Sequence, residues 1–318
     1  MAGDEDFGRL TDPYRGELLR YCYRMLGSVH DAEDQVQETL LRAWRGYDRF
    51  DGRSSPRTWL YRIATNACLR ALERQGRRPL PAGLGTPAED PTAPLVAAPE
   101  VPWLQPLPDP PASTDPAAIV ASRAGTRLAL IAALQYLPPR QRAVLILRDV
   151  LGWPAAEVAE LLGTTAAAVN SALQRARTQL DQVAPAEEHV AEPTDPRVRT
   201  LLDRYTAAFA EADVAALLAV LTEDAVAEMP PNRTWFAGRA AIAAFLATHI
   251  LRVPGDIRLV PTGANAQPAF AIYRRDPAGG YRCHSIQVLT VTAAGISRVV
   301  SFQNPGLFPI FGLPARSG

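Results

Sequence analysis

The sequence predicts a multidomain chain: two all-helical units, a proline-rich connection between them, and a C-terminal α+β domain. Three observations carry that prediction. Apolar residues recur at three- and four-residue spacing through residues 7–78 and again through 117–183, the signature of amphipathic helices. From Pro79 to Pro116, twelve of 38 residues are proline and none is arginine. Beyond Asp195 the pattern opens on helical spacing and then changes to the two-residue alternation of strands. A length of 318 residues accommodates two or three domains.

In the first unit a helix is predicted from about Pro13 to Met25, with Leu18, Leu19, Cys22 and Met25 inward. Gly27 supplies its stop and Ser28 opens the next helix, near Asp31 to Tyr47. That second helix carries two stripes. Ala32, Val36, Leu40, Ala43 and Trp44 recur at core spacing, while Asp34, Gln37, Glu38 and Leu41 share the opposite side. A leucine set within an acidic stripe favours a protein-binding face over a merely solvated one. Ser55 and Pro56 start a third helix, which runs to about Gln75 with Leu60, Ile63, Ala64, Ala67 and Ala71 inward. Arg57, Arg62, Asn66, Arg70 and Arg74 fall outside or at its flanks, with Trp59 and Tyr61 among them. Arginines interleaved with aromatic rings suit a nucleic-acid strand, since charge neutralises phosphate and rings stack on unpaired bases. The same residue types also suit a packed core with a solubilising rim, and this helix alone does not decide between them.

The proline-rich segment cannot continue a helix or a central strand and is predicted to be an extended linker. Trp103, Leu104 and Leu107 have little use in a free linker and point to docking on a domain surface. One helix is then expected over Ala118 to Tyr136 and another from Leu137-Pro138-Pro139 through Val150. The stretch from Trp153 to Arg177 reads as two helices about a tight turn: Pro154 in the first turn, Gly163 as the left-handed stop, and Thr164 or Thr165 as the next cap. In its second helix Val169, Leu173 and Ala176 face inward. Asn170, Ser171, Gln174, Arg175 and Arg177 lie outside, with amide and hydroxyl groups ahead of arginines as a helix in a major groove requires.

In the last domain, Pro196 to Glu211, Val214 to Leu221 and Ala240 to Leu251 are predicted helices. The predicted strands are Ile257–Thr262, Ala269–Arg275, Tyr281–Thr292 and Ile296–Gln303, with hairpin turns at Asp276–Gly280 and Ala293–Gly295. Residues Asn304 to Phe311 suit a docking tail.

Composition narrows the class. Net charge is zero, and all 33 basic residues are arginine. The charge is nonetheless segregated: residues 4–51 hold eleven acids against seven arginines, whereas residues 53–78 hold seven arginines against Glu73 alone. Two different partner surfaces follow from that division. Cys22, Cys68 and Cys283 show no paired spacing, so neither disulfides nor a zinc site is expected. No secretory leader or membrane-length apolar run is read, and the expected location is the cytoplasm, without membrane contact. No cofactor and no metal are predicted.

Taken with their order, these motifs resemble an extracytoplasmic-function sigma factor of the sigma-70 family, a match covering about residues 7–183. Asp31-Ala32-Glu33-Asp34-Gln35-Val36-Gln37-Glu38-Thr39 looks like the core-polymerase-binding helix of sigma region two, and Trp59-Leu60-Tyr61-Arg62-Ile63-Ala64-Thr65-Asn66 like its promoter-melting helix. Leu137-Pro138-Pro139-Arg140-Gln141-Arg142 and the hairpin from Trp153 look like region four. The resemblance implies that residues 7–78 and 117–183 are two all-α sigma domains, a helical bundle and a helix-turn-helix. It assigns Asp34, Gln37, Glu38 and Leu41 to the clamp helices of the largest subunit of core RNA polymerase. It gives Arg53, Trp59, Arg62 and Asn66 to minus-ten promoter DNA, and Asn170, Ser171, Gln174, Arg175 and Arg177 to minus-thirty-five DNA. Many members carry Lys-Ser-Arg where this chain has Asn170-Ser171-Ala172, which lowers the phosphate-binding charge there. Residues 195–318 resemble the SnoaL-like branch of the NTF2-like cone fold, a tail that is fused in a minority of these factors and modulates them in cis.

Two other functions compete. A cone fold can host a cyclase or isomerase, with a base drawn from His249, Asp256, Tyr273 and His284; of these His249, Tyr273 and His284 are the cavity candidates. His284 would point inward if it alternates with Ile286 and Val288. No second polar partner is identifiable, so no catalytic residue is assigned and the expectation is a protein that is not an enzyme. The third reading, a helix-turn-helix repressor with a ligand-binding tail, leaves the acidic stripe and the Trp59 helix unused. A small-molecule ligand for the tail remains open in either case.

Overall fold

A computed structural model describes residues 2–50, 52, 54–74, 76–110, 126–183 and 195–317. The chain divides into two compact units: residues 1–78 with 120–184, and residues 79–119 with 185–318.

The first unit is helical throughout its described length. Its elements are α1 (Ala2–Thr11), α2 (Arg15–Leu26), α3 (Val29–Gly46), α4 (Pro56–Arg74), α5 (Leu128–Leu134), α6 (Pro139–Leu145), α7 (Ala155–Leu162) and α8 (Ala166–Val183). Gly27 ends α2 in a left-handed conformation, with φ of 70°, and Ser28 caps α3 by accepting the Asp31 N–H. Leu18, Tyr21, Cys22 and Met25 of α2 and Leu60, Tyr61, Ala64 and Cys68 of α4 are all fully buried. Gly163, with φ of 64°, separates α7 from α8, and Thr165 caps α8 by accepting the Ala168 N–H. Val169, Leu173 and Ala176 are buried as their spacing requires.

Several expectations need correction. Helix α1 was not anticipated, because its apolar residues are few: Phe7 and Leu10. Trp44 is not core but 41% exposed, its ring meeting Phe7 edge-on at 5.2 Å. Tyr61 is core, against Tyr21 at 5.0 Å between ring centroids. The helix expected from Ala118 spans only Leu128–Leu134 of the described residues; its first part lies outside them. After α6, Ile146–Val150 widens into a π turn.

In the second unit, α9 (Pro196–Ala210), α10 (Val214–Leu218) and α11 (Arg239–Phe245) pack on one face of a seven-stranded sheet. The strands are β1 (Leu221–Glu228), β2 (Trp235–Ala237), β3 (Ile257–Ala264), β4 (Gln267–Arg275), β5 (Tyr281–Thr292), β6 (Gly295–Phe302) and β7 (Arg316–Ser317). Their order is β2-β1-β6-β5-β4-β3, with β7 paired to β5. Only β1 and β6, among these pairs, run parallel. Strands β1 and β2 were missed, since acidic Glu223 and Asp224 interrupt the alternation; the helix expected to reach Leu221 stops at Leu218. Tyr205, Phe209, Ile242 and Phe245 meet Ile272, Leu289 and Val299 across the core. At about 2 kcal/mol for each large apolar side chain removed from water, this interface is the domain's main source of stability. Leu307 and Phe308, in the short helix α12 (Leu307–Ile310), are fully buried, and Phe308 packs edge-on against Tyr273.

The linker belongs to this second unit over its described residues. Trp103, Leu104 and Leu107 are buried. Residues 107–109 hold the β3–β4 hairpin tip, where Asn265 and Ala266 both have positive φ, 58° and 56°. Asn265 exchanges bonds with Leu107, and Ala266 N–H donates to the Asp109 carboxylate at 2.7 Å. Such a two-residue turn matches strand twist, but alanine pays about 1 kcal/mol to enter it. The linker contacts offset that cost.

Candidate functional site

On α3, Asp34, Gln37 and Leu41 are exposed and Glu38 is half-exposed, so the four share an accessible stripe. Glu38 pairs with Arg42 one turn on, at 2.6 Å. Such an exposed pair contributes little stability and is easily exchanged for another partner. Leu41 is 44% exposed, and with Trp44 three residues away it forms an apolar spot flanked by carboxylates. Sequence periodicity placed Leu41 on this face and missed Trp44.

The second candidate surface lies on α4. Trp59 is half-buried and stacks on Phe50, centroids 4.6 Å apart. Asn66 is exposed, and Arg62 is half-exposed. Arg53 lies outside the described residues. Arg62 donates to Glu160 of α7 at 2.7 Å, the Tyr61 and Trp153 rings meet at 5.1 Å, and the Arg57 guanidinium lies over Trp153 while donating twice to Glu17. Residues of the helix-turn-helix segment therefore cover the arginine-bearing helix. No sequence signal announced those contacts, because Trp153 and Glu160 sit far from α4 in the chain.

A buried clasp reinforces them. Arg142 of α6 is 2% exposed and donates to the Met25 carbonyl near the end of α2, to the Gln135 carbonyl and side-chain oxygen, and to the Leu137 carbonyl. All four acceptors are uncharged. Burial lowers the Arg142 pKa to about 10, leaving it charged at neutral pH. The Gln135 amide in turn rests against Gly27, where an added Cβ would come within 3.0 Å of it.

On α8, Asn170, Ser171, Gln174, Arg175 and Arg177 are all exposed along one face. Asn170 to Gln174 supply amide and hydroxyl groups suited to base edges. Arg177 is held in a two-bond pair by Asp149, at 2.8 and 2.9 Å, which raises its pKa.

In the α+β domain a cavity of about 70 Å³ lies between the sheet and the helices. His284 lines it, but His249 and Tyr273 do not. Tyr273 points to the opposite side of β4 and donates to the Pro314 carbonyl; His249 lies beside Phe245 and bonds the Thr92 carbonyl. His284 reaches the cavity for a reason other than the expected alternation. The β4–β5 register shifts between Ile272–Ser285 and Tyr273–Cys283, which leaves His284 as the extra residue of a bulge. Ile286 and Val288 consequently turn away, and Ser285 and Gln287 line the cavity with it. Asp256 pairs instead with Arg275, 3.5 Å away. Glu228, which no sequence pattern singled out, also lines the cavity, fully buried.

Burial, aided by Arg274, lowers the His284 pKa to about 4. The imidazole is thus neutral in the fold at pH values where the unfolded chain, near 6.5, has begun to charge. Stability is complete above pH 6.5 and is lost as pH falls toward 4, by about 3 kcal/mol from this group. The His284→Phe variant should therefore show a flatter fall in melting temperature between pH 7 and pH 4 than the parent chain. Parallel curves would remove His284 from that balance.

Among the described residues no helix is long and apolar enough to cross a membrane, and no group of three or more His, Cys, Asp or Glu side chains could hold a metal ion.

Three family models match the chain: Sigma-70 region 2 over residues 10–78, Sigma-70 region 4 over 127–180, and a SnoaL-like domain over 202–299. The ECF RNA polymerase sigma factor SigG of Mycobacterium tuberculosis is 53% identical over 315 residues, covering 97% of this chain and 84% of that protein. The ECF RNA polymerase sigma factor SigJ of Mycobacterium tuberculosis is 32% identical over 210 residues, 66% of this chain and 60% of its own length. The crystal structure of Mycobacterium tuberculosis SigJ aligns with 95% of this chain and 98% of its own, at 25% identity and a TM-score of 0.63.

Proposed function

The chain belongs to the extracytoplasmic-function (ECF) sigma factors of RNA polymerase, and from that premise we propose how its surfaces divide the work. The α3 stripe of Asp34, Gln37, Glu38 and Leu41 engages core RNA polymerase at the clamp helices of its largest subunit. Trp59, Arg62 and Asn66, with Arg53 before them, take the minus-ten element, where aromatic and amide groups hold a base out of the stack at a cost of a few kcal/mol. Asn170, Ser171, Gln174 and Arg175 read the minus-thirty-five element in the major groove, and Arg177 reaches phosphate once it leaves Asp149.

The observation that carries the regulatory half of this reading is the covered α4. Elements about 25 base pairs apart are separated by about 85 Å at 3.4 Å per pair. Helices α4 and α8 cannot serve both while Tyr61 touches Trp153 and Arg62 is paired with Glu160. The described state is therefore a closed one, and the two helical segments part when polymerase and promoter are engaged. The linker joins those segments in the chain, and its described residues are bound to the tail. We infer that the tail restrains opening in cis by holding the linker.

Promoter run-off with purified core polymerase tests this. A chain carrying Trp103→Ala and Asp109→Ala, which loosens the linker from the tail, should give more transcript than the parent at equal occupancy of polymerase. Equal or lower output would overturn restraint by the linker.

A further inference from the structure

Helical geometry divides the polar face of α8. At about 100° per residue, Ser171, Gln174 and Thr178 stand opposite the buried Val169, Leu173 and Ala176. Asn170 and Arg177 share one flank, and Arg175 occupies the other. Asn170 and Arg177 lie about 10 Å apart along the axis, close to the width of a major groove. With Asn170 at the base edges, Arg177 therefore stands at the phosphate wall.

That arginine already has an anion. Its Nε and Nη2 donate to the two Asp149 oxygens at 2.9 and 2.8 Å, the bidentate arrangement it would offer a phosphate. Arg175 is exposed and joins no ion pair among the described residues. The approach to α8 explains the difference. Arg142 to Leu147 are buried without a break, so none of them can meet an exposed arginine. The helix then widens over Ile146–Val150, where the Leu151 N–H reaches back five residues to the Ile146 carbonyl. Arg148 ties this turn down by donating to the Trp153 carbonyl. Asp149 is the exposed residue of the turn, and it is set against the flank of α8.

Two carboxylates thus hold arginines assigned to promoter DNA, and they differ in one respect. The Glu160–Arg62 pair joins the two helical segments and is broken when these part. Asp149 and Arg177 belong to the same segment, so parting leaves their pair intact. Only DNA can then take Arg177 away. The exchange trades one charge-assisted pair for another and leaves Asp149 uncompensated beside the phosphates, where like charges repel.

We propose that Asp149 is a positioning residue of promoter recognition: it competes with DNA phosphate for Arg177 and so lowers the affinity of the holoenzyme for the minus-thirty-five element without touching a base. The proposal rests on the assignment of α8 to that element. A phosphate contact is indifferent to sequence, so the competition weakens all duplexes alike and leaves discrimination to Asn170, Ser171 and Gln174. Asp149 sets the threshold that their base contacts have to exceed.

Holoenzyme assembled from the full chain and core RNA polymerase tests this on a fluorescein-labelled promoter duplex, in the cold, where the duplex stays closed. Anisotropy is read across a series of salt concentrations. Asp149→Asn should tighten binding about five-fold at the lowest salt and steepen the logarithmic salt dependence by up to about 0.9, the share of one phosphate contact. In an Arg177→Gln background the same change should move affinity by less than about 1.5-fold, whereas in an Arg175→Gln background the whole gain should persist. The melting temperature of the free Asp149→Asn chain should stay within about 2 °C of the parent, because the lost pair is exposed. The sign decides. Weaker binding by Asp149→Asn would make the carboxylate a support that aims Arg177, and would overturn the competition. Equal binding, or a gain that survives Arg177→Gln undiminished, would overturn it as well. Gln174→Ala checks the premise and should weaken binding at least about five-fold. If Gln174→Ala is neutral, α8 does not read the element and the proposal falls with that assignment. A costly Gln174→Ala beside a neutral Asp149→Asn strikes the competition alone.

Discussion

Replacing Asp34 and Leu41 together by alanine should weaken binding to core RNA polymerase by about 100-fold, equivalent to about 3 kcal/mol, while the melting temperature of the free chain stays put. The two halves of that expectation have separate grounds. Both side chains are exposed in the closed state and neither is tied to another residue by a bond the fold needs. Stability is therefore indifferent to them. A polymerase surface that buries this stripe would lose an apolar anchor and a charged partner at once, and truncations at the centre of an interface are the costly ones. Trp44→Ala is a useful companion, because its ring also holds Phe7 of α1. It should lower both affinity and stability. Surface plasmon resonance against core polymerase, read beside thermal melts, separates the cases. Unchanged affinity for the double variant would displace the interface from α3.

The contrast between Leu41 and Trp44 also shows what the sequence could express. Both follow from one helical period, and that period located α3 to within two residues at each end. Which apolar residues of a helix are covered depends on neighbours, and α1 has too few apolar residues to be seen in advance. Trp59 and Tyr61 make the same point: two aromatics two positions apart point about 200° apart around a helix, one toward Phe50 and the other into the core. The hairpin of α7 and α8 was legible because its turn is local, set by Gly163 and Thr165. His284 lines the cavity for an unforeseen reason, since a bulge is an irregularity in pairing and leaves no mark in the residues themselves. Glu228 was out of reach: buried carboxylates are rare, and its justification lies in Arg298, 70 positions away, and Ala82, 146 positions away.

Arg142→Met should cost the first unit about 3 kcal/mol, lowering its melting temperature by about 10 °C, without reducing promoter run-off measured well below that temperature. The guanidinium has no carboxylate partner. It gathers three carbonyls and one amide oxygen, drawn from both helical segments, into a site closed to water. Methionine fills most of the space but donates nothing, so those acceptors remain buried and unbonded. A double-mutant cycle with Gln135→Leu isolates the clasp, because the two residues share one network. The pair together should cost little more than Arg142→Met alone, whereas strict additivity would mean that they act independently. Transcription supplies the decisive contrast. If the clasp serves the closed state, its bond to Met25 is broken anyway when the segments part, and holoenzyme output is equal to the parent's or higher. A fall in run-off at low temperature, with polymerase affinity intact, would instead assign Arg142 to the internal fold of the promoter-reading segment and remove it from the closure.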